Sequence, residues 1–466
     1  VRICLILEGC YPYVNGGVSS WMHNYINEMT EHEFVLVTIG ANAESRGKFK
    51  YELADNVVEV KEVFLDDAFQ VSGNSDFKET FNDTERQALK DLLSCQSPNW
   101  EVLFDIFNQR QINPTDFLES QLFLELLTEI VEEKHQNQAF ADVFHTTRSM
   151  LLTVLYLMTQ DMPKADVYHS IATGYAGLLA SLGSYQHQAP LLLTEHGIYT
   201  REREEEILRS DWVLPTMKRQ WIQFFYMLSN LIYDKAERVT SLYTKAKFIQ
   251  EEVGCDIEKC RVISNGIHYD RFSAIPLKEE DGWIDIGAVV RIAPIKDIKT
   301  MLYVFYELSR NYPNTRLHIL GAVDDEDYNR ECHQLIRQLG IKNVIFTGQV
   351  NVVEYMENLD FTILTSISEA QPLSVIESMA ARRPCVTTDV GCCRELLEGN
   401  KDDHLGIAGY CIPPTYRTGL THAIEKMCSS RQLRLKMGEI AQKRAKTYYL
   451  YEMMIQQYRD LYLEVV

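Results

Sequence analysis

Two carboxylates eight residues apart, Glu369 and Glu377, bracket a predicted helix start in the stretch from Phe361 to Glu377. The apolar run Phe361 to Leu364 predicts a buried strand, and Pro372 opens an apolar-periodic segment, a helix-start signal. Strand, loop and helix start together aim free backbone N–H groups at an anion. With phosphate at the helix end and both carboxylates accepting hydroxyl hydrogen bonds, the stretch suits a phosphate-linked sugar. It reads equally as one solvated loop carboxylate and one on a helix face, and the pair alone leaves both open. Arg291 and Lys296 lie in a second strand-to-helix loop, where a guanidinium fork and an ammonium point charge can reach a diphosphate. Two cations plus a helix N-terminus can neutralise a leaving diphosphate without a bound metal. His169 and His196 are each expected just beyond an apolar strand, where open α/β sheets place ligands, although a lone His is usually structural. Gly16-Gly17 before a helix would let backbone approach a ligand. Such pairs are also ordinary turn residues, and the stretch fits neither a Walker loop nor a G-x-G-x-x-G fingerprint.

The elements that position these residues fall into two alternations. The first has strands at Arg2 to Leu7, Glu33 to Ile39 and Val57 to Val63, then breaks off. From about 66 to 160 only helical spacing appears, at Asp76 to Cys95, Trp100 to Gln109, Asp116 to Lys134 and Ala139 to Thr159, which reads as a helical insertion. Alternation resumes with strands ending at Ser170, Thr194 and Leu242 and another from Arg261. The helices of that region are Tyr175 to Leu182, Tyr199 to Arg209, Pro215 to Ala236 and Tyr243 to Val253. The helix that follows Gly16-Gly17 is given Ser19 or Ser20 as its N-cap. Residues 268–282 read as an exposed linker. The second alternation starts at Trp283 and ends in helices from Arg417 to Val466. The expected fold is α/β, with two Rossmann-like doubly wound domains facing across a cleft and a helical insertion in the first. The domains are 1–267 and 268–448, and a last helix, 449–466, crosses back to the first.

At 466 residues the chain is long enough for two or three domains. A net charge of −20 argues against a general nucleic-acid binder. Eleven Cys with no C-x-x-C pair fit reduced thiols better than a disulfide framework or a zinc site. No apolar run approaches the roughly 20 residues of a membrane span, and the first strand carries no signal-peptide pattern. The protein is therefore expected to be cytoplasmic, with a membrane-bound partner still open.

At this point a family comes into view. Glu369-x7-Glu377, Arg291 with Lys296, and the Pro384 turn with Thr387-Thr388-Asp389-Val390-Gly391 resemble the nucleotide-sugar domain of family-four GT-B glycosyltransferases. The stretches Tyr11 to Trp21 and Thr194 to Glu204 narrow the resemblance to a subgroup that builds exopolysaccharide. The resemblance implies a UDP-sugar donor, UDP-glucose first, and a glycan acceptor. It implies retention of configuration and no metal or other cofactor. Glu377 would hold the ribose and Glu369 a donor-sugar hydroxyl, while Arg291 and Lys296 would bind the diphosphate. Backbone of Pro372, Leu373 and Ser374 would meet sugar and phosphate, with Gly16 and Gly17 approaching from the first domain. The loop Gly348-Gln349-Val350 would contact uracil, and His169 or His196 would face sugar and acceptor. A membrane-embedded polysaccharide-export complex is the implied partner, recruiting the enzyme to the inner face of the membrane. One position departs from the family: Arg382 stands where a small Gly is usual, with no functional consequence expected. A GT-B-fold UDP-sugar epimerase and a non-catalytic nucleotide-binding subunit are the rival readings.

Overall fold

Short runs of Val, Ile and Leu, too continuous for half-exposed strands, pair into two all-parallel sheets, one in each of two units. The computed structural model describes residues 1–73 and 77–466. The first unit comprises Val1–Ser241, Ala246–Val262 and Arg459–Val466, and the second Leu242–Lys245 and Ile263–Tyr458.

In the first unit the strands are β1 (Arg2–Glu8), β2 (Glu33–Gly40), β3 (Val57–Phe64), β4 (Val167–Ser170), β5 (Leu191–Glu195), β6 (Arg238–Ser241) and β7 (Cys260–Val262). Their order is β3-β2-β1-β4-β5-β6-β7, so the winding direction reverses between β1 and β4. Helix α1 (Gly17–Glu28) follows β1, and its cap is Gly16 in a fully extended conformation. Ser19 is buried inside the helix, which rules it out as the cap. Between β3 and β4 lie α2 (Asp83–Leu93), α3 (Trp100–Phe104), α4 (Pro114–Leu118), α5 (Gln121–Lys134) and α6 (Phe140–Met158). Leu92, Phe107, Phe117, Leu127 and Leu155 from this stretch share one hydrophobic core with Val35 and Val37 of β2. Helix α2 starts at Asp83 because Asn82 and Glu85 cap each other reciprocally; the earlier start expected at Asp76 lies outside the described residues. The run expected as one helix from Asp116 divides at Ser120, whose hydroxyl accepts from the Phe123 N–H and starts a new helix. The remaining helices are α7 (Gly174–His187), α8 (Tyr199–Arg209), α9 (Lys218–Lys235) and α10 (Thr244–Val253). Arg459–Val466 also belongs here: the Tyr462 hydroxyl lies 2.6 Å from His169 Nδ1 and 2.7 Å from the Tyr25 hydroxyl.

In the second unit the order is β10-β9-β8-β11-β12-β13. The strands are β8 (Ile284–Val289), β9 (Thr315–Leu320), β10 (Val344–Gly348), β11 (Phe361–Leu364), β12 (Cys385–Thr388) and β13 (Gly409–Ile412). The helices are α11 (Tyr269–Ser273), α12 (Ile298–Asn311), α13 (Glu326–Leu339), α14 (Val352–Tyr355), α15 (Leu373–Ala380), α16 (Cys393–Glu398), α17 (Arg417–Ser429), α18 (Arg431–Tyr448) and α19 (Tyr451–Val465), the last of which ends among the residues of the first unit. The segment expected as an exposed linker is largely exposed, 279–282 throughout, but it is anchored at a few points. Phe272 and Ile275 are buried, and the fully buried Arg383 donates to the Pro276 carbonyl at 2.6 Å. Lys278 lies 2.9 Å from Asp285, a buried carboxylate at the start of β8. Burial alone would raise the Asp285 carboxyl, but hydrogen bonds from His318, Arg316 and Lys278 hold it well below the usual range. Among the described residues, no helix is long and apolar enough to cross a membrane.

Candidate active site

The loop after β8 and the loop after β11 are laced together by three hydrogen bonds. Thr365 Oγ1 donates to the carbonyls of Lys296 and Asp297, at 3.1 and 3.0 Å, and the Ile367 N–H donates to the Ile295 carbonyl at 2.9 Å. This lacing brings Lys296 Nζ to 2.5 Å from Glu369 Oε1, an oxygen that also accepts from Ser366 Oγ at 2.6 Å. Both charged side chains are mostly buried, 17% and 12% exposed. A pair this enclosed must be well bonded to persist, because desolvation of each charge opposes it.

The loop after β12 supports the same carboxylate from behind. Gly391 has φ +54°, and a Cβ there would sit 2.2 Å from the Ala370 carbonyl oxygen and 2.3 Å from that of Glu369. Only glycine combines that backbone conformation with so close an approach. The Cys392 N–H donates to the Ala370 carbonyl at 2.9 Å, and Thr388 Oγ1 to the Ser366 carbonyl at 2.6 Å.

Pro372 is the N-cap of α15 and no side chain caps the helix. Proline has no N–H, so of the three residues expected to present backbone there, only Leu373 and Ser374 can donate. Glu377 is on this helix, and burial pushes its carboxyl up to about 7, with Arg271 pulling the other way. Gln371, buried beside the helix start, accepts from the Asn265 N–H at 2.7 Å. This link, between residues 106 apart, had no local signature.

Arg291 stands apart from the Lys296–Glu369 pair. Its guanidinium is 62% exposed and meets Asp324 of the loop after β9 at 2.5 Å. An exposed pair of this kind contributes little and is easily exchanged. Gln349 is exposed and Val350 half-buried in the loop that leaves β10 through Gly348, at φ +67°.

In the first unit, Gly16 and Gly17 have nothing within 4 Å of a notional Cβ, so packing does not require glycine at either position. His169 departs from expectation. It lies inside β4, in register with Leu5 and Leu192, and is fully buried. Its Nδ1 meets the Tyr462 hydroxyl at 2.6 Å and its Nε2 the Thr194 hydroxyl at 2.8 Å. Burial, and then the neighbouring His196, lowers it to about 3. With both ring nitrogens engaged inside the core it does not face a ligand. His196 follows β5 by one residue, and burial lowers it to about 4. Its Nε2 is buried without a hydrogen-bond partner among the described residues, and its ring stands edge-on to Trp21 at 4.5 Å. The reading from sequence missed two carboxylates that close apolar strands, Glu8 of β1 and Glu195 of β5. Glu195 is buried, accepts from the Tyr233 hydroxyl at 2.6 Å and from Gln250 at 2.9 Å, and is pushed up by burial to about 7. A charge ending a buried strand was the available signal.

Residues 1–258 match the family model described as a domain of unknown function (DUF3492), and residues 272–444 match that of glycosyl transferases group 1. The MMP alpha-(1->4)-mannosyltransferase of Mycolicibacterium hassiacum is 23% identical over 290 residues, covering 60% of this chain and 66% of that protein. The alpha-monoglucosyldiacylglycerol synthase of Streptococcus pneumoniae is 25% identical over 237 residues, covering 47% of this chain and 51% of that protein. The matched part thus spans about half to two-thirds of these curated relatives. Anabaena HepE, solved in complex with UDP and glucose, superposes with a TM-score of 0.59 at 15% identity, over 100% of this chain and 99% of that one. The shared architecture is GT-B, two parallel-sheet α/β domains.

Proposed function

This chain belongs to the family defined by DUF3492 and carries a group 1 glycosyl transferase domain, and we propose that it moves a hexose from a UDP-sugar to a growing glycan with retention of configuration. The observation that carries the proposal is the enclosed Lys296–Glu369 pair at the strand ends of the second unit, beside the side-chain-free start of α15. Lys296 binds the donor diphosphate, and Arg291 exchanges Asp324 for the same ligand. The N–H groups of Leu373 and Ser374 add the helix-end field. Glu369 holds a donor-sugar hydroxyl, Glu377 the ribose, and the Gly348-Gln349-Val350 loop the uracil. Gly16, Gly17 and His196 belong to the acceptor side. The donor is UDP-glucose, in keeping with the UDP and glucose bound by HepE. The first-unit stretches Tyr11 to Trp21 and Thr194 to Glu204 resemble PelF of Pel exopolysaccharide synthesis. They extend the proposal to exopolysaccharide assembly at a membrane export complex, on its cytoplasmic side.

In the reaction, the bond from the anomeric carbon to the UDP oxygen breaks, and the acceptor oxygen bonds to that carbon from the same face. The acceptor proton passes to the departing phosphate oxygen. Lys296, Arg291 and the helix end stabilise the charge that grows on the phosphate, and such stabilisation is commonly the largest catalytic effect. Because these cations supply it, turnover is expected to persist in EDTA. Loss in chelator with recovery on adding magnesium would refute the cation-based scheme. A thermal-shift panel of UDP, ADP and GDP sugars should single out UDP-glucose, and product analysis should find UDP with a lengthened glycan. UDP accompanied by a free epimerised sugar would instead establish the epimerase.

A further inference from the structure

In a chain of net charge −20, one cleft of the second unit is lined by four cations, Lys278, Arg382, Arg431 and Arg434, and by one carboxylate, Asp360. Arg382 stands in the turn after α15, and Arg431 and Arg434 in the first turn of α18. The helix is seated on that turn. A Cβ on Gly438 would lie 2.2 Å from the Arg382 carbonyl oxygen, and Gln442 donates to the Ala380 carbonyl at 2.9 Å. Lys278, Asp360 and Arg382 precede β8, β11 and β12, so the cleft lies at the amino ends of these parallel strands. The Lys296–Glu369 pair follows β8 and β11, at the opposite edge of the sheet.

The cations are unequally paired. Asp360 lies 3.4 Å from Lys278 and 3.6 Å from Arg434, and Lys278 also meets Asp281 and Asp285 at 2.7 and 2.9 Å. Arg434 further donates to the Met427 carbonyl at 2.6 Å. Arg431 pairs with Glu280 at 2.9 Å, but both are exposed, and such a pair is easily exchanged. Arg382 forms no ion pair among the described residues. Its guanidinium makes a long, 3.4 Å bond to the Ile275 carbonyl, and its Nε is buried without a hydrogen-bond partner, which is unfavourable for a charged donor. Its neighbour Arg383 is fully buried and donates to main-chain carbonyls of Leu359, Ala381 and Pro276. Burial, and then the charge of Arg382, lowers Arg383 to about 10, against the pull of Asp360 and Glu357. Arg382 is left-handed at φ +60°, where glycine would be unstrained, so the backbone does not call for arginine. The cleft has a volume of about 20 Å³, and one water needs about 10–15 Å³. That admits the inward oxygens of a single tetrahedral oxyanion and no nucleoside.

We propose that this cleft binds a phosphate group, free or as a phosphomonoester, with Arg382 supplying the guanidinium fork and Arg431 exchanging Glu280 for the ligand. Arg434 and Lys278 add positive charge beside Asp360. The proposal is independent of the glycosyltransferase reading. The bland alternative is that Arg382 only offsets the dipole at the C-terminal end of α15.

Calorimetric titration of the full chain in phosphate-free, low-salt buffer tests this, with inorganic phosphate and methyl phosphate as probes. The wild type should bind phosphate, and Arg382→Gly should bind it at least about tenfold more weakly, the effect of losing a charge-assisted bond. Arg431→Ala, at an exposed position, should weaken binding in the same direction. Phosphate should also raise the melting temperature of the wild type and not that of Arg382→Gly, because a ligand stabilises only the form that binds it. Lys296→Ala should leave this binding intact. Methyl phosphate bound as tightly as phosphate supports a phosphomonoester, and its exclusion supports free phosphate. No phosphate binding by the wild type, or equal affinity in folded Arg382→Gly, overturns the proposal. Binding that Lys296→Ala abolishes and Arg382→Gly preserves also overturns it, since the phosphate would then sit at the candidate active site.

Discussion

Glu377 and Glu369 began as an equivalent pair, and their surroundings separate them. Glu369 shares one oxygen between Lys296 and Ser366, whereas Glu377 is pushed up to about 7 by burial, against the charge of Arg271. A ribose hydroxyl donating to Glu377 stabilises the ionised form. UDP should therefore bind more tightly as pH rises through about 7, and Glu377→Gln should remove that part of the slope in a calorimetric titration. Without ligand the sign is opposite. A folded carboxyl raised above its unfolded value binds an extra proton between the ordinary carboxylate range and about 7, so stability is greatest below that window and falls as pH rises through it. Glu195 acts in the same direction, and melting temperatures measured across pH 5 to 8 should be flatter in Glu377→Gln than in the wild type. An unchanged slope in both experiments would remove Glu377 from the site.

At the scale of elements, the strand-to-helix turns carry the site, and Gly391 in the turn after β12 is left-handed and tightly packed. Gly391→Ala puts a methyl about 2.2 Å from a carbonyl oxygen and forces alanine into a left-handed conformation. It should cost roughly 1–3 kcal/mol in urea denaturation and misplace Glu369, lowering turnover. Arg382, in the turn from α15 to β12, is also left-handed, at φ +60°, and its guanidinium makes a long, 3.4 Å hydrogen bond to the Ile275 carbonyl. Arg382→Gly relieves about 1–2 kcal/mol of strain against an entropic loss of about 0.5–1, so denaturation should show a gain of roughly 0.5–1 kcal/mol. A loss of stability would mean that the arginine packs better than its contacts indicate.

These elements also show what local pattern can and cannot convey. β1, β2, β5 and β11 were legible because continuous apolar runs bounded by turn residues have few other readings. β13 was not, since Gly409-Tyr-Cys-Ile is short and Gly409 is there only because a Cβ would lie 2.1 Å from the Cys385 carbonyl oxygen. The anchoring of the linker at Pro276 depends on Arg383, more than a hundred residues away in sequence. At the site, the charged motif residues were legible from type and spacing. The burial of His169 was not, because its partners come from β5 and from the far end of the chain.

Over the whole molecule, Leu461 and Tyr462 near the C-terminus are buried in the first unit. Tyr462 engages both His169 and Tyr25, and Arg459 pairs with Glu31 at 2.5 Å. Tyr462→Phe strips a hydroxyl from two buried polar groups and should destabilise the protein by about 1–3 kcal/mol in denaturant unfolding. UDP affinity should be unaltered, since no role in nucleotide binding is assigned to these residues. A stability equal to wild type would show that the contact is not part of the core. The net charge of −20 makes the local placement of Lys296 and Arg291 the decisive electrostatic feature for an anionic donor.

The central claim is that Lys296 and Glu369 carry sugar transfer, one at the diphosphate and the other at the transferred sugar. Its most direct test is UDP release from UDP-glucose by Lys296→Ala and Glu369→Ala, at saturating donor, with melting curves to confirm folding. Each variant is predicted to lose at least about a hundredfold in turnover. Near-wild-type turnover in either folded variant would contradict the account.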